Sequence, residues 1–374
     1  MILLTGRRAL AFLIALGGVS IASAAATPAD LQDLIRQVYP VPSATGNEEV
    51  LAAKVISLLP KAASLERDHL GGVYAKLGAG EPALAVVAAL DEFGYAVSGI
   101  LPDGYLQLDR IGTPPVGIYD SFLMGHSIVV SARSGLRPGV VVQPAMHVLT
   151  AEMRDKIAKG VTLDMIYVDV GARSEEEARA KGIEILDPVT FSQDLAILAN
   201  DRMAGTALGL KANIALLADL AGSAAEGRVP QTTAFGWMVQ TRLAARGTRS
   251  ALGAVLAEAK ISPKAVLVLG TVPADRGEKS PVLGAGPVVI QAKEGPMKLR
   301  EAVEASARDK AISLQFQTGG EGTSLGPFLA GGAEGLVIAL PVKFAGTPSE
   351  VVDARDIQAV RDLVSDLIRA GRVR

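Results

Sequence analysis

The chain of 374 residues has no cysteine, three histidines and one tryptophan. Without cysteine there is no disulfide, no thiol nucleophile and no thiolate metal ligand, so the packed core must hold the fold alone. The histidines, His69, His126 and His147, stand far apart in sequence and none joins a cluster of metal-ligating residues. They read as surface or hydrogen-bonding groups. No glycine run has the strand, GxGxxG and helix order that cradles a dinucleotide, so TGGEGTSLG and RDHLGGVYAKLGAG read as turns. Charge of one sign is lacking too: 37 Lys and Arg against 39 Asp and Glu give a net charge of −2, which offers nothing to nucleic acid or an anionic membrane. Repeats and low-complexity tracts are also missing.

What is present begins with MILLTGRRALAFLIALGGVSIASAAA. Arg7 and Arg8 precede an apolar stretch from Ala9 to Ile21 and a tract of small residues. That stretch is shorter than the roughly 20 residues a membrane span needs, so residues 1–26 read as a secretory leader cut near Ala24 to Ala26. The Arg pair leaves Sec and twin-arginine export both open. The expected location is periplasmic or extracellular, with no membrane association after cleavage.

Beyond the leader, LQDLIRQVYP and EEVLAAKVISLLP have helical spacing, with Ser43, Thr45 and Asn47 as candidate caps between them. VYAKLGA and ALAVVAAL read as strands, the second apolar throughout, as in a sheet covered on both faces. From Tyr105 to Phe191 the texture changes to short β-type runs around one capped helix, SEEEARAKG. After Asn200 strands and helices alternate again, which argues for a sheet with helices on both faces. The expected fold is therefore α/β, a mixed sheet sandwiched by helices from residues 27–104 and 192–374, with a small β-rich barrel domain inserted at 105–191.

Chemistry enters at LAVVAALDEFGY, where a buried strand ends in Asp91 and Glu92, the edge at which α/β proteins build their sites. Several segments in order, PSATGNEEV, RDHLGGVYAKLG, ALDEFGYAVSGILPDGYLQLDRIG, QPAMHVLTAEMRDK, YVDVGARSEEEARAKGIEILDPVTF, NDRMAG, LGAGPVV and LPVKFAGTPSEVVDARD, resemble the glutamyl and deblocking aminopeptidases that form tetrahedral particles. The resemblance implies a zinc-aminopeptidase-like fold and two divalent ions, zinc or cobalt, about 3.5 to 4 Å apart, that polarise the peptide carbonyl and activate a shared water.

The same resemblance places Ala89 at the first histidine ligand, Asn200 at the bridging aspartate, Thr241 and Arg242 at the base and its neighbouring glutamate ligand, Gly270 at a strand-end aspartate and Gly346 at the last histidine. Ser324 stands for a further aspartate. What it leaves is a vestigial binding cleft of Asp91, Glu92, Asn200, Asp201 and Arg202, with Glu350 and Asp353 also kept, and no catalytic or metal residue. Arg202 is expected to pair with Asp201 or Glu92, or to fix a peptide carboxylate. The sequence thus points to an exported, catalytically silent relative without cofactor. Peptide binding, assembly or scaffolding is its expected role, as a homo-oligomer or with an active paralogue. The alternative is an active metallo-aminopeptidase with a rebuilt metal site.

Overall fold

A computed structural model describes residues 28–80, 82–143, 146–227, 229–243, 263–275, 277–291, 297–319 and 333–373. The expected leader, the helix at 249–260, and most of the Gly-rich turn with the helix after it lie outside the described residues.

In chain order, α1 (Pro28–Val38) and α2 (Glu49–Leu58) precede β1 (Ser64–Arg67), β2 (Val73–Leu77) and β3 (Leu84–Ala89). The barrel strands follow: β4 (Gly94–Ile100), β5 (Leu106–Ile111), β6 (Ser127–Ala132), β7 (Gly135–Val142), β8 (Tyr167–Asp169) and β9 (Pro188–Phe191), with α3 (Ala151–Lys159) and α4 (Glu175–Ala180) on their connections. Then come β10 (Ala196–Leu198), β11 (Arg202–Gly205), α5 (Leu208–Glu226), β12 (Thr233–Met238), β13 (Ala265–Pro273), β14 (Val288–Gln291), α6 (Lys298–Asp309), β15 (Gln315–Thr318), β16 (Glu334–Val342), β17 (Glu350–Asp353) and α7 (Ala354–Ala370).

The main sheet has eight strands in the order β1-β2-β12-β3-β13-β16-β14-β15, and its centre, β12-β3-β13-β16, is parallel. Side chains alternate between the two faces, as a strand requires. Leu84, Val86 and Ala88 of β3, with Leu267 and Leu269 of β13, join one core under α1, α2, α5, α6 and α7. Ala85 and Val87, with Val266 and Val268, face a second cluster on the other side. Helix α5 is long and apolar enough to cross a membrane, and it is buried here as the central core helix.

The inserted domain closes as a six-stranded barrel, β4-β5-β8-β7-β6-β9. Aromatics make up only 4% of the chain, yet several meet in this one small core. Phe93 stacks edge-on against Tyr95 and Tyr119, and Tyr119 against Phe122 and Phe191. The barrel takes in Gly94–Ile100, assigned above to the α/β domain: that run pairs with β5 and β9 rather than with the main sheet.

Helix α4 starts where its local cap signal puts it, and α7 is capped at both ends. Ser174 accepts from the Glu177 N–H at 3.2 Å, and Gly371 closes α7 with φ of 59°. Asp353 caps α7 by accepting from the Arg355 N–H at 3.0 Å. In the first turn of α7, buried Asp356 accepts from the Gly284 and Gly286 N–H groups at 2.7 and 2.8 Å and fixes that loop against the helix.

Burial, only partly offset by those two donors, pushes the Asp356 carboxyl up to about 6. A carboxyl raised in the fold adds stability that is complete below its unfolded value, near 3.8, and lost as pH rises through 6. The Tm difference between the wild type and Asp356→Asn should therefore shift in favour of the variant as pH goes from 4 to 7. A difference that stays constant across that range would show that Asp356 is already ionised in the fold at pH 4.

Candidate functional site

Where the parallel strands end, a cavity of about 490 Å3 lies between the sheet and the barrel. Ala89 ends β3, Thr241 and Arg242 follow β12, Gly270 and Thr271 come from β13, and Gly346 sits in the turn after β16. Ala207, Leu210 and Asn213 bring the start of α5 to it, while Phe93, Pro115, Val116 and Tyr119 close it from the barrel side. Glu350, at the start of β17, completes the wall.

Asp91 and Glu92 are both 1% exposed, and neither is available as an open carboxylate. Asp91 Oδ1 accepts from the Thr241 N–H at 2.9 Å and the Thr241 hydroxyl at 2.6 Å; Oδ2 accepts from the Thr45 hydroxyl at 2.9 Å and the Arg242 N–H at 3.2 Å. Glu92 Oε1 accepts from the Ser43 N–H at 2.9 Å and from Lys211 Nζ at 3.1 Å, and Oε2 from Gln193 Nε2 at 3.0 Å. Lys211 is fully buried and also donates to the Ser43 hydroxyl and the Val41 carbonyl. Burial pulls its ammonium down, and the Glu92 charge opposes that pull. Ser43 and Thr45, expected as helix caps, hold these carboxylates instead, and α2 begins after Glu48 with no side-chain cap. The signal for this was pairing over almost fifty residues, invisible to a local cap pattern.

Of the remaining sequence-predicted residues, Asn200 and Asp201 sit exposed in the β10–β11 turn, both with positive φ, outside this cavity. Asp201 lines a separate surface hollow beside Arg355 and Asp356. Arg202 pairs with neither Asp201 nor Glu92; its guanidinium lies 3.7 Å from the Asp353 carboxylate. The five residues of the expected cleft therefore do not converge. The α5 side of the cavity belongs to Ala207 and Leu210, and laying the bridging position on Gly209, followed by Leu210 and Lys211, fits the geometry where Asn200 does not. ANDRMAG drew the motif because it carries an Asp-Arg pair; ALGLKAN keeps only a basic residue at the same spacing.

The other positions assigned by resemblance, Ala89, Thr241, Arg242, Gly270 and Gly346, do line the one cavity. Their side chains do not fit a pair of divalent ions, which need imidazole and carboxylate donors. Glu350, raised by burial, accepts from the Gly346 and Gly209 N–H groups at 3.2 and 3.1 Å. Among the described residues no three His, Asp or Glu side chains gather as a metal site. The three histidines lie apart from the cavity lining, His126 edge-on against Phe191. Ser324, and the Gly-x-Ser-x-Gly string Gly322–Gly326 that contains it, lie outside the described residues.

Packing around two of these positions leaves little room for a side chain. A Cβ on Gly270 would meet Val337 Cγ1 at 2.8 Å, and one on Gly346 would meet Val116 at 3.0 Å and Pro115 at 3.3 Å. Gly346 also has φ of +76°, a conformation that costs other residues about 1–2 kcal/mol. Gly346→His should therefore lower stability by at least that amount in a denaturant melt, and an unchanged midpoint would mean that the turn and the Pro115–Val116 loop give way freely.

The description of the M42 glutamyl aminopeptidase family matches residues 71–363. The chain is similar to the lysyl aminopeptidase of Pyrococcus furiosus, 28% identical over 342 residues that cover 90% of this chain and 96% of that protein. In three dimensions it is similar to the TET aminopeptidase of a marine sediment thaumarchaeote, with a TM-score of 0.78 and 23% identity over 91% of this chain and 97% of the other. It is also similar to the TET1 peptidase of Pyrococcus horikoshii, which can assemble into a tetrahedron or an octahedral shell, with a TM-score of 0.76 and 20% identity over 90% and 99%. With the family description spanning most of its length and the fold in agreement, this chain belongs to the M42 glutamyl aminopeptidase family.

Proposed function

We propose that this chain is an exported family member that holds peptide in the cavity at the sheet edge without two-metal hydrolysis. One observation carries the reading: at the cavity positions where the resemblance calls for donors, the walls are Ala89, Thr241, Arg242, Gly270 and Gly346. A guanidinium at a metal-ligand position repels a cation. The carboxylates nearest to it, Asp91 and Glu350, are engaged by hydroxyl and backbone N–H donors. Self-assembly is part of the proposal, supported by the shells that the Pyrococcus horikoshii relative forms.

A second reading, an active aminopeptidase with a rebuilt metal site, is supported by family membership and by the activity in the name of the Pyrococcus furiosus relative. Elemental analysis of purified protein separates the two. The silent reading expects well under one zinc, cobalt or manganese per chain and no release of amino acids from unblocked peptides with metals added. About two ions per chain, or turnover, would establish the second reading. Export rests on the leader-like N-terminus alone. Intact-mass measurement of the cell-envelope fraction should give a chain beginning near Ala25 to Thr27, and a full-length cytosolic chain would overturn it.

A further inference from the structure

The cavity wall carries a cation, Arg242, beside carboxylates that other donors already occupy. Arg242 lines the cavity, and its Nε is buried with no hydrogen-bond partner among the described residues. Among the described residues its Nη1 reaches only the Thr113 carbonyl, at 3.5 Å. The two nearby carboxylates do not take up the guanidinium. Asp91 already accepts four hydrogen bonds, one of them from the Arg242 backbone, which fixes where the side chain departs without engaging its guanidinium. Glu350 is turned to the Gly346 and Gly209 N–H groups by one oxygen each, and it meets the Arg242 charge across the cavity without a direct ion pair among the described residues. Nε itself is closed to solvent, so a ligand meets the exposed Nη edge of the guanidinium, and a planar carboxylate is the group that such an edge takes with two parallel bonds.

The rest of the lining suits what would be attached to that carboxylate. Val268, Ile290 and Val337, all on one face of the sheet, make an apolar floor, and Tyr119 and Phe93 bound it on the barrel side. The volume, about 490 Å3, is that of a short peptide end rather than of a folded partner.

We infer that the cavity is a carboxylate-recognition site in which Arg242 takes the C-terminal carboxylate of a short peptide and the apolar floor takes its last side chain. This rests on the peptide-holding reading above and sharpens it: the peptide enters by its C-terminus, because the wall position that resemblance gives to an acidic ligand is here a cation.

Calorimetric titration of the mature chain with three forms of the tripeptide Ala-Ala-Leu tests this. The free acid should bind at least tenfold tighter than its C-terminal amide, while N-acetylation should change affinity less than threefold. In Arg242→Gln, checked for an unchanged melt, acid and amide should bind within twofold of each other, and Arg242→Lys should fall between, since an ammonium offers charge without the fork. The comparison of the three peptides in the wild type needs no variant. Equal binding of acid and amide, loss of binding on N-acetylation, or no binding of the free acid at millimolar concentration would each overturn the inference. Hydrolysis of the peptides with the acid preference intact would instead overturn the silent reading and leave Arg242's role standing.

Discussion

Two adjacent carboxylates, buried and fully paired, set the geometry of this molecule. Asp91 joins the end of β3, the Thr45 loop and the turn after β12 by four hydrogen bonds. Glu92 joins the Ser43 segment, α5 through Lys211 and the barrel exit through Gln193. The buried Glu92–Lys211 ion pair offers little net stability against an apolar substitute, but removing one partner strands a charge and costs about 3–5 kcal/mol. The worth of the two carboxylates here is in position: the end of β3, the turn after β12 and the start of α5, three sides of the cavity, are each held by one of them.

That arrangement alters how the acidic pair is understood. Carboxylates at a strand end usually suggest catalysis or metal binding. Here their lone pairs are spent on Ser43, Thr45, Thr241, Gln193 and Lys211, and the cavity beside them is lined by Ala89, Gly270, Gly346 and the guanidinium of Arg242. The surrounding contacts are tight, with Val337 and the Pro115–Val116 loop close to the two glycines. The cleft thus sets one cation, Arg242, beside two carboxylates, Asp91 and Glu350, that are already engaged by other donors.

Much of this was legible in the sequence. Continuous apolar runs gave the central parallel strands, and a local cap signal gave α4, because burial on two faces and capping are both written in neighbouring residues. Ala89, Gly270 and Gly346 fell into one cavity because each closes or borders a strand whose register the motif fixes. What escaped was decided at long range. Gly94–Ile100 follows β3 without punctuation, and only its partners, β5 and β9, reveal it as a barrel strand. Asn200 and Asp201 carried the more motif-like side chains, but the chain still had a short hairpin and a left-handed Ala207 to pass before reaching the cavity. The roles of Ser43 and Thr45 likewise depend on residues 91 and 92, beyond any local window.

The barrel's attachment has one more consequence. It leaves β3 directly after Glu92, and its exit residue Gln193 returns to the same carboxylate, while β4 and β9 run side by side. To the α/β domain, about a hundred residues of barrel thus present themselves as a pair of ends already in contact. Once the barrel is folded, the entropy of closing that excursion falls from that of a long loop toward that of a short one. The main sheet can then bring β3 and β12 together as though the insert were a tight turn, whatever length or shape the barrel has on its far side.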